Sequence, residues 1–170
     1  MAIDANNIYA KQVQLLVRVL PIVDTEKCFA LKGGTAINLF YRPLPRLSVD
    51  IDLLYIPMDD RDTALKNIRE ALSRISEKIA KTIPGTRVQD AHEQSDALRL
   101  IVSQGEVRIK VELSPVIRGT IFPEVRMEVT EEVETEFGYV EMQVASLPDL
   151  YAGKLCAALD RQHPRDLFDV

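Results

Sequence analysis

The chain has 170 residues, 46% of them apolar and 28% charged, and a formal net charge of −5. That balance fits one globular domain with its own core, or one domain and the start of another, and excludes a disordered tail. A net acidic chain is also a poor candidate for coating nucleic acid with a broad basic surface, so any contact with RNA or DNA must be focused in a local cleft.

From about Asn6 to Leu20, the apolar residues Ile8, Leu15, Leu16, Val19 and Leu20 fall at helical spacing, with Pro21 as the expected stop. Lys27 to Leu31 reads as a short buried strand. Gly33 and Gly34 break it, and Thr35 to Tyr41 predicts a short helix ended by Pro43 and Pro45. Leu47, Val49, Ile51 and Leu53 then alternate with Ser48, Asp50 and Asp52, which is the period of a strand. Asp59 and Asp60 introduce a helix in which Ala64, Leu65, Ile68, Ala71, Leu72, Ile75 and Ile79 recur at three- and four-residue steps as far as Pro84-Gly85. Its other side carries Arg61, Lys66, Arg69, Arg74, Lys78 and Lys81, read here as a solvated face rather than an RNA-binding one.

Short strands are expected at Arg87 to Gln89, Leu98 to Val102, Val107 to Leu113, Val125 to Val129 and Tyr139 to Val144. The acidic stretch with Glu128, Glu131, Glu132, Glu134 and Glu136 reads as a solubilising edge. Ser146-Leu147-Pro148-Asp149 has capping-box spacing and predicts a helix from Pro148 to Asp160. Arg165 to Val170 begins a further helix too short to stand alone, so the sequence is expected to stop inside an element of a longer protein. The resulting expectation is an α+β fold: a mixed sheet with flanking helices over residues 1–145, then the start of a helical C-terminal part over 146–170.

Cys28 and Cys156 have no ligand-like spacing and suit a reducing cytoplasm. No apolar run approaches the roughly 18 residues of a membrane span, and the N-terminus lacks a signal-peptide pattern. A cytoplasmic protein with no membrane segment is expected.

Side chains alternate across a strand, so Asp50 and Asp52 share a face while Val49, Ile51 and Leu53 point to the core. Two carboxylates about 7 Å apart on one strand repel each other unless a cation lies between them, and Mg²⁺ takes one or two carboxylates together with phosphate oxygens. Alone, a D-x-D strand is more often an ordinary half-exposed face. In the later strand Arg108, Lys110 and Glu112 face away from Val107, Ile109, Val111 and Leu113, so if the two strands pair, Glu112 becomes a third acidic ligand. Otherwise it is a surface glutamate. Gly33, Gly34 and Thr35 sit between a strand and a helix, where glycine lets the backbone approach a phosphate and Thr35 adds a hydroxyl donor. A plain turn is the alternative, and the lysine and spacing of a P-loop are missing.

The combination Gly33-Gly34-Thr35, Asp50-Ile51-Asp52 and Glu112 is similar to the polymerase-beta-like nucleotidyltransferases. Leu31 to Leu39 and Arg46 to Leu53, with Lys154 and Arg165-Asp166-Leu167-Phe168-Asp169, resemble more closely the AbiEii/AbiGii toxin family, which includes the MenT toxins. This resemblance implies transfer of a nucleotide from a nucleoside triphosphate with Mg²⁺ or Mn²⁺, in the MenT branch to the 3′ end of tRNA, under control of an antitoxin. It also implies roles by position. Asp50, Asp52 and Glu112 would hold the metals, and Gly33, Gly34 and Thr35 the triphosphate. Lys154 would bind phosphate, and Asp166 would orient that lysine or the acceptor. His92 and His163 stand where no general base is needed. Two other readings remain at this point: a D-x-D glycosyltransferase, and a nucleotide-binding regulatory module without turnover.

Overall fold

Alternation of apolar and polar residues along the central strands decides which way the sheet faces. The structure is a computed structural model and describes residues 7–43, 45–90 and 98–161. Asp166, Arg165, His92 and His163 lie outside the described residues. The elements in chain order are α1 (Ile8–Val23), β1 (Phe29–Lys32), α2 (Gly33–Ala36), which runs on as a π-helical stretch (Ile37–Tyr41), β2 (Asp50–Tyr55), α3 (Arg61–Thr82), β3 (Thr86–Asp90), β4 (Leu98–Gln104), β5 (Val107–Arg118), β6 (Val125–Glu128), α4 (Glu131–Phe137), β7 (Glu141–Val144) and α5 (Leu147–Arg161).

The strands form one seven-stranded sheet in the order β3-β4-β5-β2-β1-β7-β6. β2 is parallel to β5 and β1 to β7, and the other neighbours are antiparallel. This is the mixed α+β sheet with flanking helices that the sequence predicts. Ile51, Leu53, Leu100, Val102, Ile109 and Val111 are each at most 1% exposed and join one cluster with Val13, Leu16, Val19 and Leu20 of α1 and Ile68, Leu72 and Ile75 of α3. Each such side chain contributes about 1.5–3 kcal/mol by leaving water. Among the described residues no helix is long and apolar enough to cross a membrane.

Local chemistry explains most boundaries. Asp60 caps α3, its carboxylate accepting from the N–H groups of Asp62 (3.1 Å) and Thr63 (3.0 Å). Ser146 caps α5, its hydroxyl accepting from the Asp149 N–H at 3.4 Å and donating to the Asp149 carboxylate at 3.0 Å. Several expectations shift: β5 runs past Leu113 to Arg118, and β7 starts at Glu141 rather than Tyr139. Pro21 sits inside α1 rather than ending it, because the helix continues to bury Ile22 and Val23. β2 starts at Asp50 instead of Leu47, where its pairing with β5 begins at Asp50 opposite Lys110, while β1 reaches back only as far as Asp52. Of the acidic stretch expected as an edge, Glu128 ends the edge strand β6, while the rest folds into α4, where Glu131, Glu132 and Glu134 favour the positive end of a helix dipole and Val133 is fully buried.

One buried acid ties the first helix to the far edge of the sheet. Asp24 follows α1, is 8% exposed, and accepts hydrogen bonds from Lys27 (2.7 Å), the Gln143 N–H (3.0 Å) and Arg126 (2.9 Å). Burial alone would raise its pKa, but the bonds from Lys27, Gln143 and Arg126 outweigh burial and hold it below the usual aspartate value. The unfolded chain therefore binds more protons than the folded one just below pH 3.8, and the contribution of Asp24 is complete above that pH and lost as pH falls through its depressed folded pKa. Asp24→Ala is expected to cost about 2–4 kcal/mol at pH 7. Urea unfolding at pH 7 and pH 3 checks this, with the gap between variant and wild type narrowing at the lower pH.

Candidate active site

β2 and β5 do pair, and their register sets Asp52 opposite Glu112 and Asp50 opposite Lys110. On its other side Asp52 lies opposite Lys32 of β1. Glu112 in turn lies opposite Arg99 of β4. Directly opposed residues point to the same face, so four strands present the row Arg99, Glu112, Asp52, Lys32, with Asp50 two residues along β2 on that face. All five side chains are half-buried. The packed cluster of α1 and α3 lies against the opposite, apolar face.

The sequence patterns assign no role to Lys32 or Arg99. Alternation past the buried Leu31 already puts Lys32 on the polar side of β1, but nothing local says that β1 runs beside β2. Lys154 of α5 is half-buried and close enough to act electrostatically on Asp52. The structure thus gathers Asp50, Asp52, Glu112 and Lys154. Among the described residues no three His, Cys, Asp or Glu side chains stand close enough together to hold a metal ion by themselves.

Gly33 has φ +76, and a Cβ placed there would stand 2.3 Å from the Asp52 Oδ2 atom. Any larger residue would displace that carboxylate and strain the backbone. The chain therefore turns from β1 into α2 directly against Asp52. Gly34 is buried, and its carbonyl accepts from Asn38 Nδ2 at 2.6 Å. Thr35 is fully buried. Its hydroxyl donates to the Asp50 carbonyl and lies 2.9 Å from the Ser48 hydroxyl, pinning the first residue of β2 to the helix.

Burial raises the Asp52 pKa; Lys32 opposes the rise, Asp50 and Glu112 add to it by like-charge repulsion, and Lys154 opposes it. Burial likewise lowers the Lys32 pKa, with attraction to Asp52 working against it. A carboxylate whose charge is resisted by burial and by two neighbouring acids favours an incoming cation, and the two lysines favour an incoming anion.

A cavity of about 420 Å³ lies at the other end of β2, lined by Glu26, Cys28, Tyr55, Asp59, Asn67 and Arg74 among others. Its polar groups satisfy each other: the Tyr55 hydroxyl donates to Asp59 at 2.6 Å and Arg74 meets Glu26 at 2.8 and 2.9 Å. Burial pushes the Cys28 thiol up to about 11, whereas Cys156 is exposed. At pH 8 only about 0.1% of Cys28 is thiolate. Alkylation of the folded protein at that pH, followed by mass spectrometry, is expected to label Cys156 and leave Cys28 unmodified.

The family described as "Nucleotidyl transferase AbiEii toxin, Type IV TA system" matches residues 14–170. The chain belongs to this family. A search of curated proteins found no match. Among solved structures, MenT4, a nucleotidyltransferase toxin from Mycobacterium tuberculosis H37Rv, superposes with a TM-score of 0.69 at 17% identity over 95% of this chain, which shows a shared fold. The chain spans 57% of the MenT4 chain. A crystal structure of ANT(2″)-Ia in complex with adenylyl-2″-tobramycin matches at TM-score 0.43 and 18% identity over 94% of this chain and 84% of its own, too loose a likeness to argue from.

In this AbiEii family member the site works against stability. Because the folded pKa of Asp52 is raised, the folded state binds more protons than the unfolded one above pH 3.8, so stability falls as pH rises through that window and stays reduced above it. Asp52→Asn is expected to raise the thermal midpoint in chelator at pH 7 by about 2–4 °C for each kcal/mol relieved, with the gain disappearing below pH 3.8. Thermal melts across pH check both halves.

Proposed function

We propose that the chain carries the transfer site of a nucleotidyltransferase. It would move a nucleotide from a nucleoside triphosphate to an RNA acceptor, the 3′ end of tRNA, as the toxin of a toxin–antitoxin pair in the cytoplasm. The observation that carries the reading is the register of Asp52 against Glu112, with Asp50 on the same face and Gly33 pressed against the Asp52 carboxylate. Family membership supports the reaction class, and its type IV description supports an antitoxin as partner.

The donor set fits Mg²⁺ or Mn²⁺ in the form these ions ordinarily take, one or two carboxylates completed by phosphate oxygens, rather than a closed protein cage. Asp50 and Asp52 would hold the cation, with Glu112 sharing a second. When bound, such cations neutralise the triphosphate and lower the pKa of an acceptor hydroxyl. The chain's own residues do the positioning. Gly33 leaves room for the Asp52 carboxylate, and its backbone, with Gly34 and Thr35 continuing the turn, would hold the triphosphate beside it. Lys154 and Lys32 offset phosphate charge, and Asp166 is assigned to orient Lys154 or the acceptor. The acceptor oxygen attacks the α-phosphate in line, its proton passes toward Glu112, and pyrophosphate leaves.

Labelled nucleoside triphosphates incubated with the full-length protein, tRNA and Mg²⁺ test this. Label is expected to move to RNA from at least one triphosphate, with Asp50→Ala/Asp52→Ala reducing the rate by about 10³-fold or more and Glu112→Gln by about 10²-fold. Label moving from a nucleotide sugar and from no triphosphate would mark a glycosyltransferase instead. Unchanged Mg²⁺-dependent triphosphate binding in the double variant would remove the carboxylates from the site, and tight binding without transfer would mark a regulatory module.

A further inference from the structure

The register that sets Glu112 beside Asp52 continues outward across the sheet. Arg99 on β4 is opposite Glu112, and Lys110 is opposite both Ile101 and Asp50. Arg108 is opposite Ser103, which on its other side meets Arg87 of β3. These cations therefore share the face of the carboxylates, while Leu100, Val102, Ile109 and Val111 point to the core. Arg87, Arg108 and Lys110 are exposed and Arg99 is half-buried. The Arg99 Nε is buried with no hydrogen-bond partner among the described residues, a state that native proteins rarely tolerate in a donor without a use for it.

A solvated face is the plainer reading of any charged surface, and α3 shows what one looks like here. Acids and bases interleave on it, Lys81 pairing with Glu77 at 3.5 Å, and Arg74 reaches Glu26 between α1 and β1 at 2.8 Å. The pairing just described brings together four cations on β3, β4 and β5 with Glu112 and, across from Lys110 on β2, Asp50, in a chain of net charge −5. Both acids belong to the candidate active site. Positive charge gathered on one face of an acidic protein, and continuous with that site, complements a polyanion.

We infer that this face of β3, β4 and β5 is the track that holds the RNA acceptor by its phosphates and leads its 3′ end to Glu112 and Asp52. The inference rests on the nucleotidyl-transfer reading above. Arg99 stands one strand beyond Glu112, about 4.8 Å across the sheet, and Lys110 and Arg108 follow along β5 at steps of about 6.7 Å. Successive cations at that pitch can each meet a backbone phosphate. Ile101 is the one apolar side chain among the paired positions of this face, and it offers no ring for a base to stack on. Binding is therefore indifferent to base sequence and strongly dependent on salt.

Fluorescence anisotropy with a 5′-labelled single-stranded RNA, measured on the full chain over a range of salt concentrations, tests the track. Arg87→Glu/Arg108→Glu/Lys110→Glu is expected to lose at least about tenfold in affinity, and its slope of log K against log salt to become shallower by about 2. Arg69→Glu/Lys78→Glu on α3 is expected to bind within about twofold of wild type, as surface charges away from the contact do. Circular dichroism checks that the triple variant folds. Arg108→Gln/Lys110→Gln serves in its place if it does not, with a slope change of about 1. The track is overturned by wild-type protein that binds no RNA at low salt, by equal affinity in the face variant and wild type, or by an equal loss in the α3 variant. Polyglutamate competing as well as unlabelled RNA at matched charge would also overturn it, pointing to an acidic protein. Label transfer is scored separately. Transfer with unchanged RNA binding in the face variant leaves the enzyme reading standing and removes the track; RNA binding kept by Asp50→Ala/Asp52→Ala but lost by the face variant supports the track even where no label moves.

Discussion

Asp52 is a half-buried acid near the middle of a seven-stranded sheet whose other face is packed with helices. Burial and the neighbouring acids Asp50 and Glu112 resist its charge, and Lys32 and Lys154 only partly relieve this. The surrounding structure is arranged to accept this strain rather than remove it. Gly33 gives up a side chain so that the carboxylate has room, and the Thr35 hydroxyl holds the start of β2 through the Asp50 carbonyl. A core of fully buried residues beneath β2 and β5 supplies the stability that such a site consumes.

The two faces of the sheet consequently do different work. α1 and α3 cover one, and the alternation of Ile109 and Val111 with Arg108, Lys110 and Glu112 leaves the other polar. At the β1 end of that polar face, α2 and α5 close in and bring Lys154 toward Asp52. At the β3 end the described residues Arg87, Arg108 and Lys110 are exposed and positively charged.

Elements with a strong local signal are legible in the amino-acid sequence itself. Asp60 capping α3, Ser146 capping α5 and the three- and four-residue spacing from Ala64 to Ile79 all rest on contacts within a few residues of each other. Boundaries that depend on distant neighbours are not legible in this way. β2 begins where its pairing with β5 begins, α1 passes Pro21 because Ile22 and Val23 have a core to enter, and α4 forms because Val133 can be buried.

The same division holds at the site. That Asp50 and Asp52 share a face follows from the sequence alone, because a strand repeats every two residues and flanking apolar residues choose which face is inward. The same logic puts Glu112 on the polar side of β5. Only the tertiary structure decided that β5 runs parallel beside β2 with Glu112 opposite Asp52, that β1 brings Lys32 to the other side, and that Arg99 extends the row. Register between strands some sixty residues apart is set by how whole elements pack, and no local period encodes it.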